Sequence, residues 1–211
     1  MVRKNSNEMR DGLLDAAETV VTRQGIANLA LDAVAAEAGV SKGGLLHHFP
    51  SKDHLVQAMV QRTADYLRAA YDEACESAAE GPGRMTRGLL NSSLADCDCW
   101  SEQCRRSSSA VFAALAQNSD LIEPMREVYS ELHRRVADDG LPPGVGETVA
   151  ATIDGLWLYW VLGLVPVNQE MIIRVRKALE DMVARSQPAA PVKRKAGTKP
   201  RTARPSGGRR T

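Results

Sequence analysis

Residues 31–52, LDAVAAEAGVSKGGLLHHFPSK, decide the fold. The first eight residues favour a short amphipathic helix with its apolar side chains on one face. Gly39 follows, where a tight turn needs a positive φ that a residue without a Cβ adopts at little cost. Ser41 is suited to cap a second short helix, predicted over Lys42 to Phe49, because its hydroxyl can accept a free backbone N–H. Two short helices joined by such a turn predict a helix-turn-helix, whose second helix fits the major groove of DNA.

The longer run AAEAGVSKGGLLHHFPSKDHLV, residues 35–56, closely resembles the DNA-binding region of the TetR family of bacterial transcriptional repressors. The family pattern is roughly IA-x-x-A-G-V-S-K-G-T-L-Y-x-Y-F-x-S-K-x-x-L. The matching residues are Ala36, Ala38, Gly39, Val40, Ser41, Lys42, Gly43, Leu45, Phe49, Ser51, Lys52 and Leu55. Gly44 and Leu46 depart from the pattern, since they stand where Thr and Tyr are usual, and Leu46 has no hydroxyl to donate to a phosphate.

The polar face of the second helix supplies the candidate DNA contacts. Leu45 and Phe49 are expected to point inward. The residues expected to face base edges are Lys42, Gly43, Gly44 and His47, and those expected nearer phosphates are Ser41, His48 and Lys52. Outside this motif, Lys52 would be interpreted as an ordinary solvated charge.

Helical periodicity continues through most of the chain. A first helix is predicted over Met9 to Gln24, and a long one from a Ser51 cap to about Ala79. Further helices are predicted near 83–96, 100–117, 119–138, 145–164 and 168–186, without an alternating strand pattern. We therefore predict an all-α fold with a three-helix DNA-binding domain over residues 1–55. The resemblance assigns effector sensing and dimerisation to a helical domain over residues 56–186.

The last two predicted helices carry broad apolar stripes that suit a partner surface. The candidate dimer-interface residues are Ile153, Trp157, Trp160, Ile172, Val175, Leu179 and Met182. Such stripes can also pack inside one subunit. Two successive helices of this kind favour a four-helix bundle formed by two copies of the chain, and the resemblance implies the same homodimer.

The middle helices carry aromatic, Met and His side chains of the types that line apolar ligand pockets. The candidate pocket residues are Trp100, Phe112, Met125, Tyr129, His133 and Trp157. An ordinary helical core would use the same residues. The resemblance implies a pocket for a small-molecule effector, whose identity the sequence does not give.

Cysteine spacing and catalytic motifs argue against several other functions. Cys97, Cys99 and Cys104 could hold a soft metal or respond to oxidants. They lack a nearby His and a standard zinc spacing, so the interpretation as small apolar fillers is favoured. There is no phosphate-binding loop, nucleophile elbow or HExxH pair. We expect no enzymatic activity, no metal and no cofactor.

Charge is distributed unevenly along the chain. Residues 187–211 hold eight Lys or Arg and no acid, which leaves 19 basic and 26 acidic residues before them and a net charge of −7 there. This segment is predicted to be a disordered basic tail that attracts phosphates without reading bases, or that serves only solubility. No apolar run is long enough to span a membrane, and the N-terminus lacks a hydrophobic signal segment. We expect a cytoplasmic, nucleoid-associated protein without a membrane partner.

These observations together predict a homodimeric transcriptional regulator that binds a palindromic double-stranded DNA operator. A ligand-responsive repressor fits best, in which a small-molecule effector lowers the affinity for DNA. The alternative is an architectural DNA-binding protein that senses nothing and draws most of its affinity from the basic tail.

Overall fold

The computed structural model describes residues 6–25, 28–95, 108, 111–112, 114–115 and 118–186. Within these residues the chain is helical and contains no strand, which confirms the predicted all-α fold. The helices are α1 Ser6–Gln24, α2 Leu31–Glu37, α3 Lys42–His48, α4 Lys52–Ser77, α5 Arg84–Ser93, α6 Glu123–Ala137, α7 Val145–Leu162 and α8 Gln169–Ser186. No described helix is long and apolar enough to span a bilayer.

Parts of three predictions lie outside the described residues. The residues outside are Trp100, the three cysteines between residues 97 and 104, and the basic segment 187–211. The helix predicted over 100–117 is described only in part, and the described residues from 108 to 115 are helical.

The helix-turn-helix forms through the local signals in its sequence. Gly39 has a φ of +68°, and the amide of Val40 donates to the carbonyl of Ala35 across the turn. Ser41 caps α3 by accepting the amide N–H of Gly44 at 3.1 Å. The helix then ends one residue earlier than predicted, because Phe49 adopts an extended conformation.

Helix α4 connects the helix-turn-helix to the rest of the molecule. One continuous apolar core runs from Leu13 of α1 through Leu55 and Met59 of α4 to Met125 and Val128 of α6. The predicted domain boundary at residue 55 therefore falls in the first turn of a continuous helix. At about 1.5 Å per residue, the 26 residues of α4 extend roughly 39 Å.

Helix α5 is inserted closely between its neighbours. Gly88 allows the backbones of α5 and α4 to approach where a side chain would collide, and Gly146 of α7 does the same against α6. Asp139, in the loop after α6, caps the N-terminus of α5 by accepting the amides of Met85 at 3.0 Å and Thr86 at 2.8 Å. A second apolar core joins α5, α7 and α8.

The helix predicted over 119–138 is interrupted near its start. Ser119–Ile122 form a 3-10 turn, and α6 begins at Glu123. Pro124 accounts for the break, since it lacks an N–H and is tolerated only in the first turn of an α-helix. Asn118 caps the 3-10 turn by accepting the amide of Asp120.

Candidate nucleic-acid interface and ligand cavity

The buried face of α3 packs on the rest of the head, which is the three-helix unit α1 to α3. Leu45 and Phe49 are buried, as predicted, and the guanidinium of Arg10 lies 5.2 Å from the centre of the Phe49 ring. The two inward side chains fix the rotation of α3, and thereby determine which of its residues face solvent.

The outer face of α3 is polar and accessible. Lys42 and His47 are exposed together with the two glycines between them, and His48 is half-buried. The Lys42 ammonium forms an exposed ion pair with Asp32 at 3.0 Å, and the His47 and His48 rings meet edge to face. An exposed pair contributes little to stability, so Lys42 can exchange Asp32 for a base edge or a phosphate at little cost.

The two glycines on this face are not required by packing inside the chain. A Cβ at Gly43 or Gly44 would meet its nearest neighbour, the Ser41 hydroxyl oxygen, at ordinary contact distances of 4.0 and 3.4 Å. Neither glycine has a positive φ. The effect of the missing side chains is therefore on the solvent side, where the backbone of α3 can approach a partner closely.

Lys52 begins α4 next to a helix N-terminus that suits an anion. Ser51 caps α4 by accepting the amide of His54 at 3.3 Å, and its hydroxyl is hydrogen-bonded to His54 Nδ1 at 2.8 Å. Backbone N–H groups at a helix N-terminus attract phosphate oxygens, and the lysine adds a full positive charge.

A charge cluster around the buried Glu18 ties α4 to α1. Arg62 donates to Asp15 at 2.7 Å and to the buried Glu18 at 2.5 Å. Burial acts to lower the Arg62 pKa, but the hydrogen bonds and charges of Glu18 and then Asp15 outweigh it and raise that pKa. Arg62 therefore remains charged and holds α1 against the middle of α4.

Behind the head, helices α4 to α7 together with Ser108, Val111 and Ile122 line a partly open cavity of about 680 Å³. Its wall is mostly aliphatic and aromatic. Three predicted pocket residues, Met125, Tyr129 and Trp157, line it. Phe112 stacks on Trp157 with ring centres 6.3 Å apart. His133 does not line the cavity and is exposed on α6.

The cavity has a polar centre at Asp154. Its Oδ1 accepts the Tyr129 hydroxyl at 3.0 Å, and Tyr129 is in turn hydrogen-bonded to Tyr71. Burial raises the pKa of both phenols and of Asp154, while the Tyr129 hydrogen bond and the His133 charge partly lower the Asp154 pKa. The phenols are therefore neutral hydrogen-bonding groups at physiological pH.

Sequence reasoning missed Tyr71 and Asp154. A signal for Asp154 was present, because it is the only charged residue between Glu147 and Glu170. An isolated carboxylate in so apolar a helix indicates a specific partner. Tyr71 carries no such signal, since it lies in a helix rich in charged residues.

The predicted interface residues are divided between three environments. Ile172 and Leu179 are buried in the subunit's own core, and Ile153 and Trp157 line the cavity. The remaining three, Trp160, Val175 and Met182, are half-buried. The large apolar residues that α7, α8 and their connection expose are instead Leu158, Tyr159, Leu162, Leu164 and Ile173.

Among the residues that the structure describes, no group of three or more His, Cys, Asp or Glu side chains could hold a metal ion. Cys75, the cysteine within this part of the chain, is a free and half-buried thiol. The site therefore consists of an exposed recognition helix and, behind it, an apolar cavity with a Tyr–Tyr–Asp centre. These features define the class of helix-turn-helix DNA-binding proteins.

Two family models match most of this architecture. Residues 13–59 match "Bacterial regulatory proteins, tetR family", and residues 83–184 match "Tetracyclin repressor-like, C-terminal domain". The chain belongs to the TetR family and is a DNA-binding transcriptional regulator. The predicted family is thereby confirmed.

Individual relatives agree over most of their length. The HTH-type transcriptional regulator BetI of Burkholderia thailandensis is 25% identical over 82% of this chain and 92% of its own. A putative transcriptional regulator from Pseudomonas aeruginosa has the same fold, with a TM-score of 0.69 and 20% identity over 88% of this chain and 97% of its own. The multidrug binding protein EbrR, solved with malachite green, is 25% identical over 82% of this chain and 97% of its own, with a TM-score of 0.59.

Proposed function

We propose that the protein is a homodimeric, ligand-responsive repressor that binds a palindromic operator. The observation that carries this proposal is the course of α4. Its first turn presents Lys52 beside the recognition helix, and its second half lines the cavity with Tyr71 and Ala74. A ligand that changes the packing of α4 at the cavity changes the position of the head.

On DNA, α3 lies in the major groove. Lys42, Gly43, Gly44 and His47 face base edges, while Ser41, His48 and Lys52 lie nearer the phosphates. The exposure of the α3 outer face supports this assignment, as does the room around the two glycines. Ser41 can donate its hydroxyl proton to a phosphate while its oxygen still accepts the amide of Gly44.

The homodimer forms through α7, α8 and their connection. The exposed apolar residues there, such as Leu162 and Ile173, support this assignment, because a subunit alone would leave them in water. From the predicted set, Trp160, Val175 and Met182 lie at the interface, while Ile172 and Leu179 support the two helices from inside. A two-fold axis then sets the two recognition helices about 34–36 Å apart, one turn of DNA.

The cavity binds a small-molecule effector. Its volume lies in the range of small-molecule sites, about 300–1,000 Å³. The relative EbrR is a multidrug binding protein solved with malachite green, which supports a small-molecule ligand for this chain. Effector binding lowers the affinity for DNA through a coupling of about 1–3 kcal/mol, and operator DNA weakens effector binding by the same factor.

Footprinting and light scattering test the assembly. The wild-type chain should protect a short palindrome and scatter as a dimer. Leu162→Glu and Ile173→Glu should give folded monomers that no longer protect it. Ala69→Glu, which adds the same charge on an exposed face of α4, should remain dimeric. A wild-type chain that is monomeric at micromolar concentration would refute both the dimer and the two-fold operator.

Removal of the basic segment separates the repressor from an architectural DNA-binding protein. Truncation after Gln187 deletes eight positive charges. If about half of them neutralise phosphates, the slope of log affinity against log salt should decrease in magnitude by about 3–4. A repressor keeps its preference for the operator after truncation. An architectural protein would lose most of its affinity and show no such preference at any salt concentration.

A further inference from the structure

The described lining of the cavity carries a net negative charge. Asp154, Glu73 and Arg126 are the charged residues among those that the structure describes there. Arg126 is already engaged, since its guanidinium donates to Glu123 at 2.7 Å and to the Ser119 carbonyl at 3.1 Å. Glu73 is exposed. Among the residues that the structure describes, the lining therefore contains a half-buried carboxylate in an apolar wall and no cation free to balance it.

Asp154 has hydrogen-bonding capacity that the protein does not use. Within the described part of the chain, its carboxylate accepts one hydrogen bond, from Tyr129. A carboxylate can accept about four. Satisfying the Tyr129 hydroxyl does not require a charge, because an amide or backbone carbonyl would accept the same proton. The negative charge therefore has no structural purpose that the described contacts explain.

The surroundings suit a positive charge with an apolar body. Trp157, stacked on Phe112, gives one wall an extended aromatic face, and the rings of Tyr71 and Tyr129 lie at the polar centre. Aromatic faces attract cations, most strongly where water is displaced. His133 is exposed on α6 and does not line the cavity, so it leaves room for a cation inside.

We propose that this cavity takes an apolar cation, an aromatic or alkyl molecule with one ammonium group that pairs with the Asp154 carboxylate. The inference rests on the ligand site proposed above and names its chemical class. An ammonium N–H donates to the free lone pairs of Asp154, and the hydrocarbon body fills the apolar wall. Neutral molecules of the same shape lose the charge pair, and anions are repelled.

Three probes with one aromatic body test the charge: naphthylmethylamine, naphthylmethanol and naphthylacetate. In calorimetric titrations of the full chain, the amine should bind about tenfold more tightly than the alcohol, and the acetate most weakly. Asp154→Asn should reduce the amine to the affinity of the alcohol. Asp154→Glu should restore the preference. Glu73→Gln, the matched loss of the other carboxylate, should leave it intact.

The outcomes separate this inference from the proposed ligand site. Should the alcohol bind as tightly as the amine, or the amine preference survive Asp154→Asn, the charge pair is refuted while the cavity remains a ligand site. Should no probe bind at millimolar concentration or alter the emission of Trp157, the inference and the ligand site both fail. If Asp154→Asn does not fold, the ranking of the three probes on the wild-type chain decides.

Discussion

Replacing Gly88 with alanine places a methyl group into the backbone of the neighbouring helix. A Cβ at this position would lie 2.6 Å from the carbonyl carbon of Ala74 and closer still to its oxygen. Cβ atoms essentially never approach another heavy atom within 3.0 Å. The obstacle is main chain in the middle of α4, so no side-chain rotation removes it, and α4 and α5 must separate.

The cost of this separation is set by the contacts it loosens. Overpacking of a filled interior costs about 1–3 kcal/mol, and the upper end applies here because the obstacle is backbone. The better helix propensity of alanine stabilises the folded state by about 1 kcal/mol and offsets part of this cost. The net loss in the free energy of unfolding is therefore about 2 kcal/mol. For a chain of this size, that loss lowers the melting temperature by about 4–8 °C.

Circular dichroism during thermal and urea unfolding measures the change. Gly12→Ala is the matched control, since Gly12 lies inside α1 with nothing within 4 Å of an added Cβ. It should stabilise the protein by about 0.5–1 kcal/mol. The two variants make the same chemical change with opposite expected signs. A Gly88→Ala protein as stable as the wild type would refute the close crossing of α4 and α5.

Three further changes test the head, the capping of α5 and the cavity. Lys52→Ala should lower the affinity for operator and for random DNA about equally, and should reduce the slope of log affinity against log salt by about one. The control Lys177→Ala, at an exposed position on α8, should change neither. A changed base preference in Lys52→Ala would contradict a phosphate contact. Asp139→Ala should lower the free energy of unfolding in urea by about 2 kcal/mol, because two amides at the start of α5 lose a charged acceptor. The control Asp138→Ala, at the exposed neighbouring position, should lower it only a little. Equal losses in the two variants would contradict the cap. Burial raises the pKa of Asp154 above its ordinary value of 3.8. At a pH just above 3.8 the folded state therefore binds more protons than the unfolded state, and the free energy of unfolding falls as the pH rises. Asp154→Asn removes this dependence, and parallel stability–pH curves for variant and wild type would contradict it.

The helix-turn-helix was predictable because each of its signals acts over a few residues. The positive φ of Gly39 and the caps at Ser41 and Ser51 depend on backbone groups two or three positions away. Burial of Leu45 and Phe49 follows from helical spacing alone. The structure corrects only helix ends in this region, by up to three residues, as at Ser6 instead of Met9 for α1.

Contacts between distant segments were not predictable in this way. Asp139 caps a helix that begins more than fifty residues before it, and no local pattern links the two. An apolar stripe likewise predicts that a residue is buried, but it does not indicate whether the same subunit or a second copy of the chain buries it. Ile172 and Leu179 share a stripe with Val175, yet the first two are buried within the subunit and the third is half-exposed.

The proposed coupling depends on where α4 is held. Arg62 binds the buried Glu18 and fixes the middle of α4 to α1, which packs against α2 of the helix-turn-helix. Nine residues later on the same helix, Tyr71 is hydrogen-bonded to Tyr129, which itself holds Asp154. In the proposed coupling, a ligand that engages Asp154 acts on Tyr129 and Tyr71, and the Arg62–Glu18 ion pair transmits a displacement of α4 to α1. Residues of the head and of α4 belong to one apolar core, which supports the proposed movement of the head with α4.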